Sequence, residues 1–267
     1  MEYLADMGFR HIELSGGTHF YPNWLQELQE LQARFSLHYR CHNYFPPPIT
    51  HFVLNLASKD PVVSEIAISH VTEALRVSKL LGADVFGFHA GFRFDPKVKQ
   101  LGKKMDRSAL QGVEESWTEF DKNFTQLNGL ARNKNIKLYI ENNVFSSANA
   151  SSFGNNPFLM THADEIEAYK QRNPFNLLLD VAHLKVSCQT LGLDFTEQCI
   201  TLGQQSDYLH LSDNDGFADT NRELTSGSHL VEVLSRLKIR EKTTTLEVYS
   251  GEKSLFASYD LVTELCK

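Results

Sequence analysis

Along the chain, short runs of branched and aromatic residues alternate with longer stretches whose apolar positions recur at helical spacing. The short runs fall at residues 12–14, 37–41, 85–89, 137–141, 177–180, 208–211 and 244–248. Most are apolar throughout, the pattern of strands covered on both faces. The longer stretches carry helix signals. Asp60-Pro61 suits a helix start, because proline has no backbone N–H to lose at the first helical position. Gly82 suits the left-handed position just past the end of that helix near Leu81. Val113, Trp117, Phe120, Phe124, Leu127 and Ala131 form one amphipathic stripe. Thr161-x-x-Asp164 reads as a capping box with Asp in the place of the usual Glu or Gln. Leu255, Tyr259, Val262 and Leu265 share one face of a closing helix.

Repeated strand–helix units call for a parallel sheet with helices outside it. The pattern gives about eight helices but only about seven strands, and the helix near residues 2–7 has no strand before it. In a (β/α)8 barrel each strand precedes its helix. The chain therefore reads as α/β, a (β/α)8 TIM barrel lacking its first strand. The strands beside the gap would be edges with unpaired N–H and C=O groups, to be covered by another segment or a second subunit, unless the chain starts downstream of its ancestral start. No linker or low-complexity tract divides residues 1–267, which read as a single domain.

Composition narrows the partners. Hydrophobic residues make up 42% and charged residues 22%, an ordinary globular balance with room for a large core. The formal charge of −7 disfavours a generic nucleic-acid binder, which relies on surplus Lys and Arg, though it leaves room for a local basic groove. Cys41, Cys188, Cys199 and Cys266 form no C-x-x-C pair and read as free thiols of a reducing compartment. No apolar run reaches membrane-spanning length, and the first residues lack the marks of a secretory signal. The expected location is the cytoplasm.

Polar residues stand repeatedly at the ends of the strands: His38, His42 and Asn43; His89; Glu141, Asn142 and Asn143; Asp180 and His183; His210 and Asp213; Glu247 and Tyr249. One such residue means little, since an Asp after a strand is commonly a helix cap. The same placement on six strands is different, because the C-terminal ends of barrel strands open on one face. Converging carboxylates repel one another and shift their pKa values unless a cation neutralises them. Glu141, Asp180, His210 and Glu247 form an oxygen-rich set suited to Mn²⁺, Mg²⁺, Co²⁺ or Zn²⁺. The absence of Cys from it argues against a structural zinc.

These segments resemble the xylose-isomerase-like TIM barrel superfamily of sugar phosphate isomerases, epimerases and endonuclease IV. The resemblance runs from Gly8-Phe9-Arg10-His11-Ile12-Glu13-Leu14 to the last helix, through Ile140-Glu141-Asn142, Leu179-Asp180-x-x-His183 and His210-Leu211-Ser212-Asp213. Similarity to the keto-sugar epimerases implies one metal on Glu141, Asp180, His210 and Glu247. It implies Glu141 and Glu247 as the catalytic acid/base pair, His183 on substrate hydroxyls, and His89 lining the pocket. The substrate would be a small sugar or sugar phosphate, and a homo-oligomer is compatible with this.

The N-terminal half also resembles endonuclease IV, in His42-Asn43-Tyr44, Leu54-Asn55-Leu56-Ala57-Ser58 and Phe88-His89-Ala90-Gly91. That alternative implies up to three zinc ions on His42, His89, Glu141, Asp180, His183, His210 and Glu247, with abasic DNA as substrate. Its Asp-x-His ligand pair would fall on Asp219-Thr220-Asn221, where Asn replaces the second ligand, and Ala90 replaces a proline. Asn is a poor zinc ligand beside imidazole, so the epimerase reading is preferred. A third class is a degenerate barrel that binds carbohydrate without turnover.

Lesser features are Ser15-Gly16-Gly17-Thr18 as a turn or anion contact, Pro46-Pro47-Pro48 as a rigid loop, and Arg93 and Arg222 as anion contacts. Phe92 and Phe94 flank Arg93 as substrate contacts, while Trp24, Phe45 and Tyr249 could wall a sugar.

Overall fold

The computed structural model describes residues 1–16 and 19–267. Helices α1 (Glu2–Asp6), α2 (Trp24–Phe35), α3 (Pro61–Leu80) and α4 (Val113–Arg132) alternate with strands β1 (His11–Leu14), β2 (His38–His42) and β3 (Val85–His89). Strand β4 (Lys137–Glu141) leads into α5 (Ser147–Phe153) and α6 (Ala163–Arg172). Then follow β5 (Asn176–Asp180), α7 (Val181–Leu191), α8 (Phe195–Gln205), β6 (Tyr208–Leu211), α9 (His229–Ser235), β7 (Thr243–Leu246) and α10 (Glu252–Leu265). The strands pair in chain order, and no strand precedes α1 among the described residues. The strand that the sequence reading found missing is accordingly not seen before α1 among the described residues. No described helix is long and apolar enough to cross a membrane.

The chain forms two compact units, Met1–His89 with Gly112–Tyr139 and Ala90–Gln111 with Ile140–Lys267. In the first, β1 lies parallel to β2 with His11 opposite His38, and β2 parallel to β3 with His42 opposite Gly87. Asp60 caps α3 by accepting a 2.8 Å hydrogen bond from the Val62 N–H, and Pro61 opens the helix. The α4 stripe buries Trp117, Phe120, Phe124, Leu127 and Ala131, whereas Val113, in the first turn, is exposed. Phe124 stacks on Phe120 and meets Phe88 of β3. Asn123, buried on the same helix, donates to the Leu56 carbonyl at 2.8 Å and the Ser64 hydroxyl at 3.0 Å. One amide thus ties α4 to the start of α3.

In the second unit β5, β6 and β7 are parallel, with Asp180 opposite His210 and His210 opposite Thr245. Strands β4 and β5 each begin on an exposed polar residue and are buried thereafter, which explains their unbroken apolar runs. Two local expectations differ in detail. The helix after Thr161 starts at Ala163, and Glu165 rather than Asp164 reaches back, accepting from the Thr161 N–H at 3.1 Å. The first turn is therefore set one residue later than the sequence pattern places it. In α10, Val262 is buried while Tyr259 is exposed, so the apolar face is narrower than its spacing suggests. Cys41, Cys188 and Cys199 are buried free thiols, and burial pushes the pKa of each up to about 12.

Candidate functional site

The second unit brings four expected ligands to the carboxyl ends of consecutive strands. Glu141 ends β4, Asp180 ends β5, His210 lies within β6, and Glu247 follows β7. Side chains alternate across a strand, so residues two apart share a face. Thr245 is level with His210, which puts Glu247 on the same face one step further along. The Glu247 N–H continues the ladder by donating to the Leu211 carbonyl at 3.1 Å.

His210 is fully buried, and its Nδ1 lies 3.3 Å from Glu247 Oε1 and 3.5 Å from Glu141 Oε1. A single ring nitrogen carries at most one proton, so it cannot donate well to both. Two donor atoms held ~2.1 Å from one ion at tetrahedral or octahedral angles sit roughly 3.0–3.4 Å apart. The observed separations are close to those of ligands sharing a cation.

Asp180 does two jobs. Its Oδ1 accepts from the His183 N–H at 2.7 Å, capping α7, which begins at the very next residue. Its Oδ2 is buried without a hydrogen-bond partner among the described residues. Burial, aided by the neighbouring Glu141, Asp219 and Glu247 charges and opposed by His183, pushes the Asp180 carboxyl up to about 7. A carboxylate that is costly to ionise among other carboxylates is what a divalent cation would relieve. The oxygen and nitrogen donors, the unsatisfied Asp180 oxygen and the ligand-like spacing therefore fit a divalent metal.

His183 extends this group. Its Nδ1 lies 3.0 Å from the Asn142 carbonyl. A carbonyl can only accept, so Nδ1 carries the proton and Nε2 faces Asp219 Oδ2 at 3.3 Å and Asp180 Oδ2 at 3.9 Å. Burial would lower the His183 pKa, but Asp180, Asp219 and Glu141 outweigh it and hold it well above the usual imidazole range.

The remaining expected residues are placed otherwise. Asp213 is ion-paired with Lys185 and accepts from the Asn214 N–H at 2.8 Å, so its carboxylate is engaged in the loop after β6. Asn221 is buried with its Oδ1 accepting from the Ser212 hydroxyl at 3.0 Å, and its carbonyl accepts from the Tyr249 N–H. Its side-chain oxygen is thus occupied in this loop. In the first unit, the His42 and His89 rings meet edge-to-face with centroids 5.6 Å apart. His42 Nδ1 lies 3.0 Å from the Asn43 carbonyl, and Asn43 Oδ1 accepts from the His89 N–H at 3.2 Å. Phe92 and Phe94 are buried in an aromatic cluster with Phe153 and Phe158, and Arg222 is paired with Asp215. Trp24 meets Phe45 edge-to-face, while Tyr249 is exposed. The turn at Ser15-Gly16-Gly17-Thr18 lies partly outside the described residues.

Sequence reasoning gives Asn142 no role of its own. In the structure its amide donates to the Asp180 carbonyl at 3.0 Å and accepts from the Asp180 N–H at 2.8 Å. Asn143 is similarly buried, donating to the Gly91 and Leu159 carbonyls, each at 2.9 Å. Two successive buried amides after a strand are the available signal, since such groups must find partners.

Residues 1–258 match the family model of the xylose isomerase-like TIM barrel, and the chain belongs to that family. No curated protein matches the sequence. Among solved structures, a D-tagatose 3-epimerase-like protein is similar with a TM-score of 0.75 and 18% identity, over 99% of this chain and 91% of that one. D-psicose 3-epimerase from Clostridium cellulolyticum gives 0.66 and 14%, over 100% and 92%. A Thermus thermophilus protein soaked with zinc chloride gives 0.63 and 21%, over 95% and 87%. At these identities the likeness shows a shared fold.

Proposed function

We infer that the protein is a divalent-metal-dependent sugar or sugar-phosphate epimerase or isomerase. The observation that carries this is the convergence of Glu141 and Glu247 on one nitrogen of His210, at 3.5 and 3.3 Å. Glu141, Asp180, His210 and Glu247 would hold the ion. When bound, it would polarise a substrate carbonyl and make the adjacent carbon acid stronger. One glutamate takes the proton from that carbon, and the other returns a proton to its opposite face. His183, with its Nδ1 proton fixed on the Asn142 carbonyl, orients a substrate hydroxyl through Nε2. The structural neighbours, a D-tagatose 3-epimerase-like protein and a D-psicose 3-epimerase solved with D-tagatose, support a small sugar as substrate.

A second reading, a metal-dependent phosphodiesterase acting on abasic DNA, draws on the His183–Asp219 contact at 3.3 Å, which enlarges the donor set. The Ser212 hydroxyl on Asn221 weighs against it, because the corresponding ligand oxygen is already used.

Incubation with Mn²⁺ and a panel of ketoses in D₂O tests the reading. The wild-type protein should exchange a carbon-bound hydrogen for deuterium, and Glu141→Gln and Glu247→Gln should each slow exchange by at least about a hundredfold. Full exchange in either variant would remove that residue's acid/base role. Cleavage of an abasic oligonucleotide without sugar exchange would favour the phosphodiesterase.

A further inference from the structure

One segment runs against the chain's charge. Ala90–Gln111 holds six basic and two acidic residues, in a chain of 26 basic and 33 acidic. It is irregular apart from a short 3-10 turn at Val98–Gln100, yet it is tied down. The Arg93 N–H donates to the Pro157 carbonyl at 2.8 Å, and the Gln111 N–H to the Arg93 carbonyl at 2.7 Å. The Met105 N–H donates to Asn149 Oδ1 of α5 at 2.8 Å.

A groove of about 490 Å³ is lined by Arg93, Arg107, Ser108, Leu110, Phe153 and Asn155, among others. Arg93 props its wall. Its Nε and Nη2 donate to the Gln111 carbonyl at 3.1 and 2.9 Å, and its Nη1 to the Asn156 carbonyl at 2.7 Å. These bonds leave guanidinium N–H groups over, and no described carboxylate comes within ion-pair distance of Arg93. Glu165 acts on it only through space, its own Oε2 being engaged by Thr161. Arg107 is exposed and makes no hydrogen bond or ion pair among the described residues. Among the described residues the Ser108 hydroxyl has only a long 3.5 Å contact to the Asp106 carbonyl. The groove therefore offers two guanidinium groups, a hydroxyl and an amide beside the apolar Phe153 and Leu110.

We propose that this groove binds the phosphoryl group of a small organic phosphate, with Arg107, Arg93 and Ser108 on the phosphoryl oxygens and Phe153 and Leu110 against the carbon skeleton. Guanidinium forks match phosphate oxygens in geometry and charge. The volume suits a small molecule. The four lysines of the segment add to its positive charge, which raises the local concentration of anions. The proposal uses none of the metal-site residues, so it stands or falls separately from the epimerase reading.

Calorimetric titration with a hexose 6-phosphate, inorganic phosphate and a single-stranded oligonucleotide tests it. The hexose phosphate should bind, inorganic phosphate more weakly, and Arg107→Glu should weaken both at least tenfold with an unchanged melting temperature. Arg107→Lys should recover part of the loss. Absence of binding by either phosphate compound, or equal binding by Arg107→Glu, would overturn the proposal. So would oligonucleotide binding tighter than that of the hexose phosphate, which would make the segment a polyanion surface.

Discussion

The Nδ1 of His183 lies 3.0 Å from the carbonyl oxygen of Asn142, and the side chain of the same Asn142 holds both backbone polar groups of Asp180. One residue thus holds the Nδ1–H of a histidine ring and the position of a carboxylate. Asn142→Ala leaves a buried N–H and a buried C=O unsatisfied, each costing about 1–3 kcal/mol. Urea unfolding should show a loss of about 2–6 kcal/mol. Where the variant still folds, divalent-metal affinity should fall roughly 10–100-fold, as when the groups that orient metal ligands are lost. Unchanged metal affinity would show that the clamp does not orient the site.

His70 gives a pH dependence unconnected with the metal ligands. It packs against Phe52 and Tyr44, with centroids 5.0 and 6.3 Å away, and its Nε2 is buried without a hydrogen-bond partner among the described residues. Burial pushes its pKa down to about 4, with Glu73 pulling weakly the other way. Between the ordinary value near 6.5 and the folded value near 4, the unfolded chain binds a proton that the folded chain refuses. Stability is therefore full above the ordinary value and falls as pH drops through that window. From pH 7 to pH 5 the His70 contribution should drop by about 1–2 kcal/mol. His70→Phe should flatten that part of the profile; an unaltered slope would show that His70 is not its source.

Gly203 of α8 is buried against Leu237. A Cβ there would come within 2.7 Å of Leu237 Cδ1 and 2.9 Å of Cδ2. Gly203→Ala should cost about 1–3 kcal/mol through overpacking, despite the gain of up to about 1 kcal/mol in helix propensity. Combining it with Leu237→Val should cost less than the sum of the single changes. Simple additivity by thermal denaturation would contradict this packing account.

How much of this is legible in the sequence depends on the kind of signal. Strands covered on both faces leave unbroken apolar runs, which is why β4, β5 and β6 can be read close to their observed limits. Asp60-Pro61 carries its own capping chemistry. The candidate ligands are legible because a parallel strand delivers its last side chains to one end of its sheet. Roles set by partners distant in sequence are not legible. Asp213 looks like a ligand until Lys185 is found beside it, and Asn142 looks like a loop residue until Asp180 is. The exposed Tyr259 shows the same limit, since spacing says which face a residue is on but not how far the core extends.

The glutamates should separate by function from the other ligands. Glu141→Gln and Glu247→Gln keep side-chain volume and, in the proposed roles, should lower kcat at least about a hundredfold with a much smaller change in KM, since each would remove a base used in the transition state. Steady-state kinetics on the best ketose checks this. A pure KM effect would make the residue a substrate contact instead.

Elemental analysis of the natively purified protein addresses the shared cation directly. The expected result is one equivalent of a divalent metal per chain, falling below about a tenth in Asp180→Asn and His210→Ala because each removes a proposed ligand. A wild-type protein that retains no ion after equilibration with Mn²⁺, Co²⁺ or Zn²⁺, or variants that retain as much as the wild type, would contradict the metal centre.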